Sequence, residues 1–178
     1  MHAVSATEQI TLVLGGARSG KSRYAEVLIA NETPPWIYVA TAEALDDEMT
    51  KRIAEHRARR TDGWRTIEAP RDLLGALASV PAGAAVLVDC MTLWLSNLLL
   101  AGADIEREIA NVDTALTQMT GKAVLVANEV GWGIVPENAL AREFRDLQGR
   151  LNQRLAARAD RVVLMVAGLP LVVKGHPL

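Results

Sequence analysis

Residues 10–22, ITLVLGGARSGKS, constrain this chain more than any other stretch. ITLVL is a continuous β-favouring run, and residues 22–30 that follow suit a helix. Between them Gly15, Gly16, Ala17, Arg18, Ser19, Gly20, Lys21 and Ser22 fit the pattern G-x-x-x-x-G-K-[ST] in its proper strand–loop–helix setting. Glycines let a backbone fold round a phosphate without Cβ clashes. Successive backbone N–H groups and a helix N-terminus then supply positive potential. In such a loop the lysine reaches the β- and γ-phosphates and the Ser22 hydroxyl ligates Mg²⁺. The alternative is a plain glycine-rich turn, which the four fixed positions and their context disfavour.

The remainder of the chain repeats the alternation. Apolar runs at 36–40 (WIYVA), 84–88 (AAVLV), 122–127 (KAVLVA) and 161–167 (RVVLMVA) predict further strands. Near-continuous Val/Leu/Ile runs suit strands buried on both faces of a parallel sheet. Residues 64–67 predict an added strand, and 45–60, 72–79, 91–100, 104–119 and 138–159 predict helices. The expected fold is α/β of the P-loop NTPase type: a mostly parallel sheet with helices on both faces, three layers in all. At 178 residues, half of them hydrophobic, the chain suits one domain with a real core. Residues 1–9 read as a loose tail without the pattern of a signal peptide. The longest apolar stretch, 91–102, is interrupted by Thr92, Ser96 and Asn97 and is too short to span a bilayer. A formal charge of −2 argues against a general nucleic-acid or membrane-surface binder. The single cysteine, Cys90, excludes an internal disulfide and fits a reducing, cytoplasmic setting.

Three further features carry chemistry. Asp89 ends the run 84–88, where a second acidic group would hold a metal or contact nucleotide; the alternative is a helix cap. Asn128 and Glu129 end the next run, at the carboxyl edge where open α/β sheets bind ligands. The glycine-rich segment 130–134 after them reads as a substrate wall or as an ordinary connection. His56 is the internal histidine of three; His2 and His176 lie near the termini. It follows Leu45, Met49 and Ile53 on the apolar stripe of its helix and precedes Arg57, Arg59 and Arg60. A neutral imidazole there can be base, ligand or nucleophile. The alternative is a histidine and arginines placed for the helix dipole.

Together, GGARSGKSRYAE, YVATAEALDDEMTKRIAEHRARR, WRTIEAP and NEVGWGIVPENALAREFRDLQGRLNQRLA resemble the bifunctional adenosylcobinamide kinase / adenosylcobinamide-phosphate guanylyltransferase family of cobalamin biosynthesis, from about residue 10 to residue 174. The resemblance implies two transfers. A terminal phosphate passes from ATP or GTP to adenosylcobinamide, and GMP then passes from GTP to that phosphate through a GMP–histidine. It implies His56 as that nucleophile. It also implies nucleotide contacts at Ala40, Thr41 and Ala42, at Arg57, Ala58, Arg59 and Arg60, and at Asp89, and a guanine-side carboxylate at Glu68. Asp89 stands where some relatives carry Glu. The family further implies a trimer. Two rivals stay open: a P-loop kinase without guanylyl transfer, and a nucleotide switch. A switch GTPase is expected to carry Asn-Lys-x-Asp, which Asn128-Glu129-Val130-Gly131 does not fit.

Overall fold

The computed structural model describes residues 8–44, 46–60 and 62–176; the expected tail lies mostly outside the described residues, as do Leu45 and His2. The elements in chain order are β1 (Ile10–Gly15), α1 (Lys21–Ala30), β2 (Trp36–Ala40), α2 (Asp47–Arg59), β3 (Trp64–Glu68), α3 (Leu73–Ala78), β4 (Ala85–Asp89), α4 (Met91–Leu100), α5 (Ile105–Gln118), β5 (Ala123–Asn128), α6 (Ala139–Arg158), β6 (Arg161–Val166) and β7 (Leu169–Lys174). The strands form one sheet in the order β3-β2-β4-β5-β1-β6-β7, parallel except for β7. This is the expected P-loop type of α/β architecture.

The apolar runs form strands because each must bury both faces. Successive side chains alternate across a strand, and here both sets find a core. Leu12, Val39, Val86, Val88 and Leu125 pack with residues of α3, α4, α5 and α6 on one face. Val13, Leu87, Val124, Val126 and Val163 pack with Ala25 and Ile29 of α1 on the other. Each such buried side chain contributes about 1.5–3 kcal/mol by removal from water. The helices start where short polar side chains accept a first-turn amide: Asp46 for α2, Asp72 for α3, Asp104 for α5 and Asn138 for α6. Three of these, Asp72, Asp104 and Asn138, fall one residue before the helices that the periodicity had extended to include them.

Register sets the working edge. Ala40 pairs with Asp89, Asp89 with Val126 and Gly15 with Asn128, so β2 and β4 end together and β1 and β5 run two residues further along the same edge. One element differs from expectation. The run at 161–167 predicts a last strand, yet Ala167 and Gly168 both adopt positive φ, 51° and 83°, and turn the chain into β7. Such a two-residue turn matches strand twist. Pro170 is accommodated because β7 is an edge strand. Among the described residues no helix is long and apolar enough to cross a membrane.

Trp94 tests the larger core. It is fully buried, and its indole N–H donates to the Arg71 carbonyl at 2.9 Å. Trp94→Ala is expected to cost about 3–5 kcal/mol, read as a lower denaturant midpoint with an unchanged slope.

Candidate functional site

The loop between β1 and α1 needs its glycines. Gly15 has φ 154°, and a Cβ there would stand 2.6 Å from Ser19 Oγ and 2.7 Å from the Met165 carbonyl. Gly20, at φ 96°, precedes α1 in the left-handed region and offers no side-chain cap, whereas α2 to α6 are each capped by a side chain. The opening amides of α1 therefore face outward for an anion. The loop is tied to itself and to the β6–β7 turn: Gly168 N donates to Ser19 O at 3.1 Å, and Lys21 Nζ donates to Gly16 O at 2.6 Å.

Beside the loop lies a cleft of about 600 Å³, bounded among others by Arg18, Lys21, Ser22, His56, Asp89 and Asn128. That volume suits a nucleotide. A narrower, mainly apolar cavity continues from it. Tyr38, Ala40, Ala42, Met49, Ile53, Arg60 and Glu68 line this second space, and Ser22, His56, Asp89, Cys90 and Leu93 form walls of both. The loop and His56, far apart in sequence, thus meet at one cleft. Met49, Ile53 and His56 face the cavity together, as the stripe on α2 predicts.

Asp89 is the electrostatic centre. It follows Leu87 by two residues, so its side chain points to the α1 side of the sheet. Its carboxylate is only 8% exposed, and His56 Nδ1 lies 3.6 Å from Oδ2. Tyr38 donates its hydroxyl to the same oxygen at 3.1 Å, and the Ser22 hydroxyl also donates to the carboxylate. Burial works against ionisation, but the adjacent His56 imidazole and hydrogen bonds from Ser22 and Tyr38 hold this carboxyl below the usual range. Burial first, then the Asp89 charge, pushes the Tyr38 phenol well above its ordinary value, so it acts as a neutral donor. Asp89 is not the cap of α4. That position is taken by Cys90, whose Sγ accepts from Leu93 N at 3.4 Å.

The remaining candidates divide. Arg57 and Glu68 form an exposed pair at 3.0 Å, of a kind that contributes little to stability. The Arg60 guanidinium lies 3.6 Å from the Tyr38 ring centroid. Ala58 is exposed and lines neither space, while the Arg59 side chain lies outside the described residues. Thr41 is fully buried; its hydroxyl donates to Cys90 O and accepts from Cys90 N, both at 2.7 Å, and so clamps β2 to the end of β4. Ala40 and Ala42 on either side of it do face the cavity. Asn128 reaches the cleft, whereas the Glu129 carboxylate accepts from Gly131 N at 2.8 Å. Of the segment 130–134, Val130 is half-buried and residues 131–134 are exposed, with Trp132 and Ile134 facing solvent. Tyr38 and Cys90 are site residues that sequence reasoning missed. A tyrosine in the buried middle of β2, between Ile37 and Val39, was the available signal, since its hydroxyl needs a partner.

Among the described residues no group of three or more His, Cys, Asp or Glu side chains could hold a metal by itself. Ser22 and Asp89, in contact, offer hard oxygen donors of the partial kind that Mg²⁺ completes with water and phosphate.

The model of the family described as cobinamide kinase / cobinamide phosphate guanyltransferase matches residues 11–173. The bifunctional adenosylcobalamin biosynthesis protein CobP of Pseudomonas aeruginosa is 51% identical over 172 residues, covering 94% of this chain and 98% of that protein. The proteins named CobU of Salmonella typhimurium and Escherichia coli are 46% and 44% identical over 179 residues, each covering 92% of this chain and 98% of its own. Among solved structures, an ATPase domain aligns over 88% of this chain and 69% of its own with a TM-score of 0.49 and 10% identity.

Burial, then the neighbouring Asp89 charge, pushes the Cys90 thiol up to about 11. Because this folded value lies above the unfolded one, the associated stability is whole below the unfolded value and is lost as pH rises toward about 11. At about pH 8, iodoacetamide is expected to spare Cys90 in the folded protein and to alkylate it in denaturant, as read by intact mass.

Proposed function

The chain belongs to the cobinamide kinase / cobinamide phosphate guanyltransferase family, and on that premise we propose how its residues divide the family's two transfers. It is a bifunctional enzyme of cobalamin biosynthesis, phosphorylating adenosylcobinamide and then guanylylating the product. One domain serves both reactions, and the observation that carries the assignment is the meeting of Lys21, Ser22, His56 and Asp89 at a single cleft.

In the kinase step the loop from Gly15 to Ser22 holds the triphosphate tail of ATP or GTP. Its amides, the Lys21 ammonium and the amino end of α1 neutralise the phosphates, and phosphoryl transfer asks chiefly for positioning and charge. Ser22 and Asp89 would hold Mg²⁺, which when bound offsets charge on the β- and γ-phosphates. Lys21 leaves the Gly16 carbonyl for the phosphates, and the terminal phosphate passes to the hydroxyl of the corrinoid.

In the transferase step His56 attacks the α-phosphate of GTP. The new bond is N–P, the bond to the β-phosphate oxygen breaks, and pyrophosphate leaves with its electron pair. The phosphate of the phosphorylated corrinoid then displaces the imidazole, giving adenosylcobinamide-GDP. Ala40 and Ala42 wall the narrower cavity that would take the base, with Thr41 holding them through Cys90. Glu68 supplies acceptors for guanine N1–H and its amino group. Arg57 and Arg60, with Arg59, serve the nucleotide. A trimer and a cytoplasmic setting belong to the same reading.

Incubation with α-labelled GTP tests it. Wild-type protein is expected to retain acid-labile, alkali-stable label, and His56→Ala none, while His56→Ala still phosphorylates the corrinoid. Absence of covalent label in the wild type would leave a kinase alone. Lys21→Ala is expected to slow phosphoryl transfer about 10²- to 10³-fold, the range seen when one charge-stabilising donor is removed, measured as kcat with saturating corrinoid.

A further inference from the structure

We propose that Asp89 is a positioning residue for guanylyl transfer: it takes the Nδ1–H of His56 and so leaves Nε2 as the attacking lone pair. The proposal rests on the reading of His56 as the nucleophile and concerns how that nucleophile is made ready. It assigns Asp89 a task beyond holding a metal or touching nucleotide.

The geometry distinguishes the two ring nitrogens. Nδ1 is the one turned to Asp89, 3.6 Å from Oδ2. Nε2, across the ring, is the nitrogen left for a nucleotide in the cleft that His56 borders. A neutral imidazole carries one proton, and whichever nitrogen holds it cannot attack. Without a fixed acceptor at Nδ1, part of the population would present N–H to the phosphorus instead of a lone pair.

Asp89 is itself held in place for this. Its carboxylate is nearly enclosed, ends a central strand, and is pinned by donors from Tyr38 and Ser22. Oδ2 has two lone pairs, enough for the Tyr38 hydroxyl at 3.1 Å and an imidazole N–H. The imidazole distance is somewhat longer than a hydrogen bond. Contacts of this kind commonly tighten when the substrate complex forms.

The electron count favours the same arrangement. As the Nε2–P bond forms and the P–O bond to pyrophosphate breaks, the ring keeps its Nδ1 proton and becomes cationic. The Asp89 carboxylate balances that charge. When the phosphate of the second substrate displaces the imidazole, the N–P electron pair returns to Nε2 and the ring is neutral again. No proton has to leave the histidine in either half. The Asp–His pair of hydrolytic triads follows the same logic, with the carboxylate choosing the tautomer and steadying the cation.

Nitrogen-15 NMR of histidine-labelled protein tests the proposal, with the His56 signals assigned by their loss in His56→Ala. Above the imidazole titration range, wild-type His56 is expected to show protonated Nδ1 and unprotonated Nε2. Asp89→Asn is expected to shift it toward a mixture or the opposite tautomer and to slow formation of labelled GMP–enzyme about 10²- to 10⁴-fold, with KM for GTP changed by less than about tenfold. Asp89→Glu is expected to restore the wild-type tautomer and most of the rate. A wild-type His56 protonated at Nε2, a tautomer indifferent to Asp89→Asn, or a loss confined to KM would overturn the proposal while GMP–enzyme still forms. Failure of the wild type to take label at all would instead overturn the histidine nucleophile on which it rests. The wild-type spectrum decides the tautomer even if Asp89→Asn does not fold.

Discussion

The parallel register of the central strands is the constraint on which the site depends. Ala40 lies opposite Asp89, Asp89 opposite Val126 and Gly15 opposite Asn128, so four strands deliver their last residues to one edge of the sheet, with β1 and β5 running two residues beyond β2 and β4. A slip of one residue in β4 would turn its side chains over. Asp89 would then face the core under α3 to α6, away from Tyr38 and Ser22. The aliphatic alternation that fills two cores therefore also aims the Asp89 carboxylate at the cleft. Packing and chemistry are specified by the same residues, Ala85 to Val88, through the same pleat.

Placing a carboxylate there carries a desolvation cost, and the surroundings are arranged to meet it. A buried charge is tolerated only with donors around it. Tyr38 from β2, Ser22 from α1 and His56 from α2 converge on Asp89 from three elements. Thr41 then stitches the end of β2 to the residue after Asp89 with two short hydrogen bonds, and Asn97 of α4 donates to the Thr41 carbonyl at 2.9 Å. The edge of the sheet is thus a braced frame rather than a set of loose strand ends. A site that must bring a phosphate loop and a nucleophile together benefits from such a frame, because small displacements cost rate.

Much of this was legible beforehand, for identifiable reasons. Buried parallel strands write themselves as apolar runs, and the loop writes itself as glycines followed by Lys21 and Ser22. The position of Asp89 at a strand end and of His56 on an apolar stripe could be read from spacing. Their contact could not, because it depends on how α2 is set over β4, which no local pattern encodes. β7 escaped notice because Ala167-Gly168 lacks the Asn-Gly or Asp-Gly signature of a tight hairpin, and Pro170 argues against a strand anywhere but an edge. Thr41 was read for its place beside the nucleotide, yet its burial makes it a clamp. Family resemblance named the residue neighbourhood, and geometry separated the side chains that face the cleft from those that hold it open.

The bond between Lys21 and the Gly16 carbonyl has a thermodynamic consequence. A glycine-rich loop is costly to order, since each residue gives up about 1–2 kcal/mol of backbone freedom. Here the lysine, the turn at Gly168 and the start of α1 have already ordered it. That entropy is spent when the chain folds, not when a nucleotide arrives. Arrival then exchanges a neutral carbonyl acceptor for an anionic phosphate, and hydrogen bonds to a charged acceptor are about twice as strong. The loop distinguishes its ligands less by moulding itself to their shape than by the negative charge they bring to a shape already made.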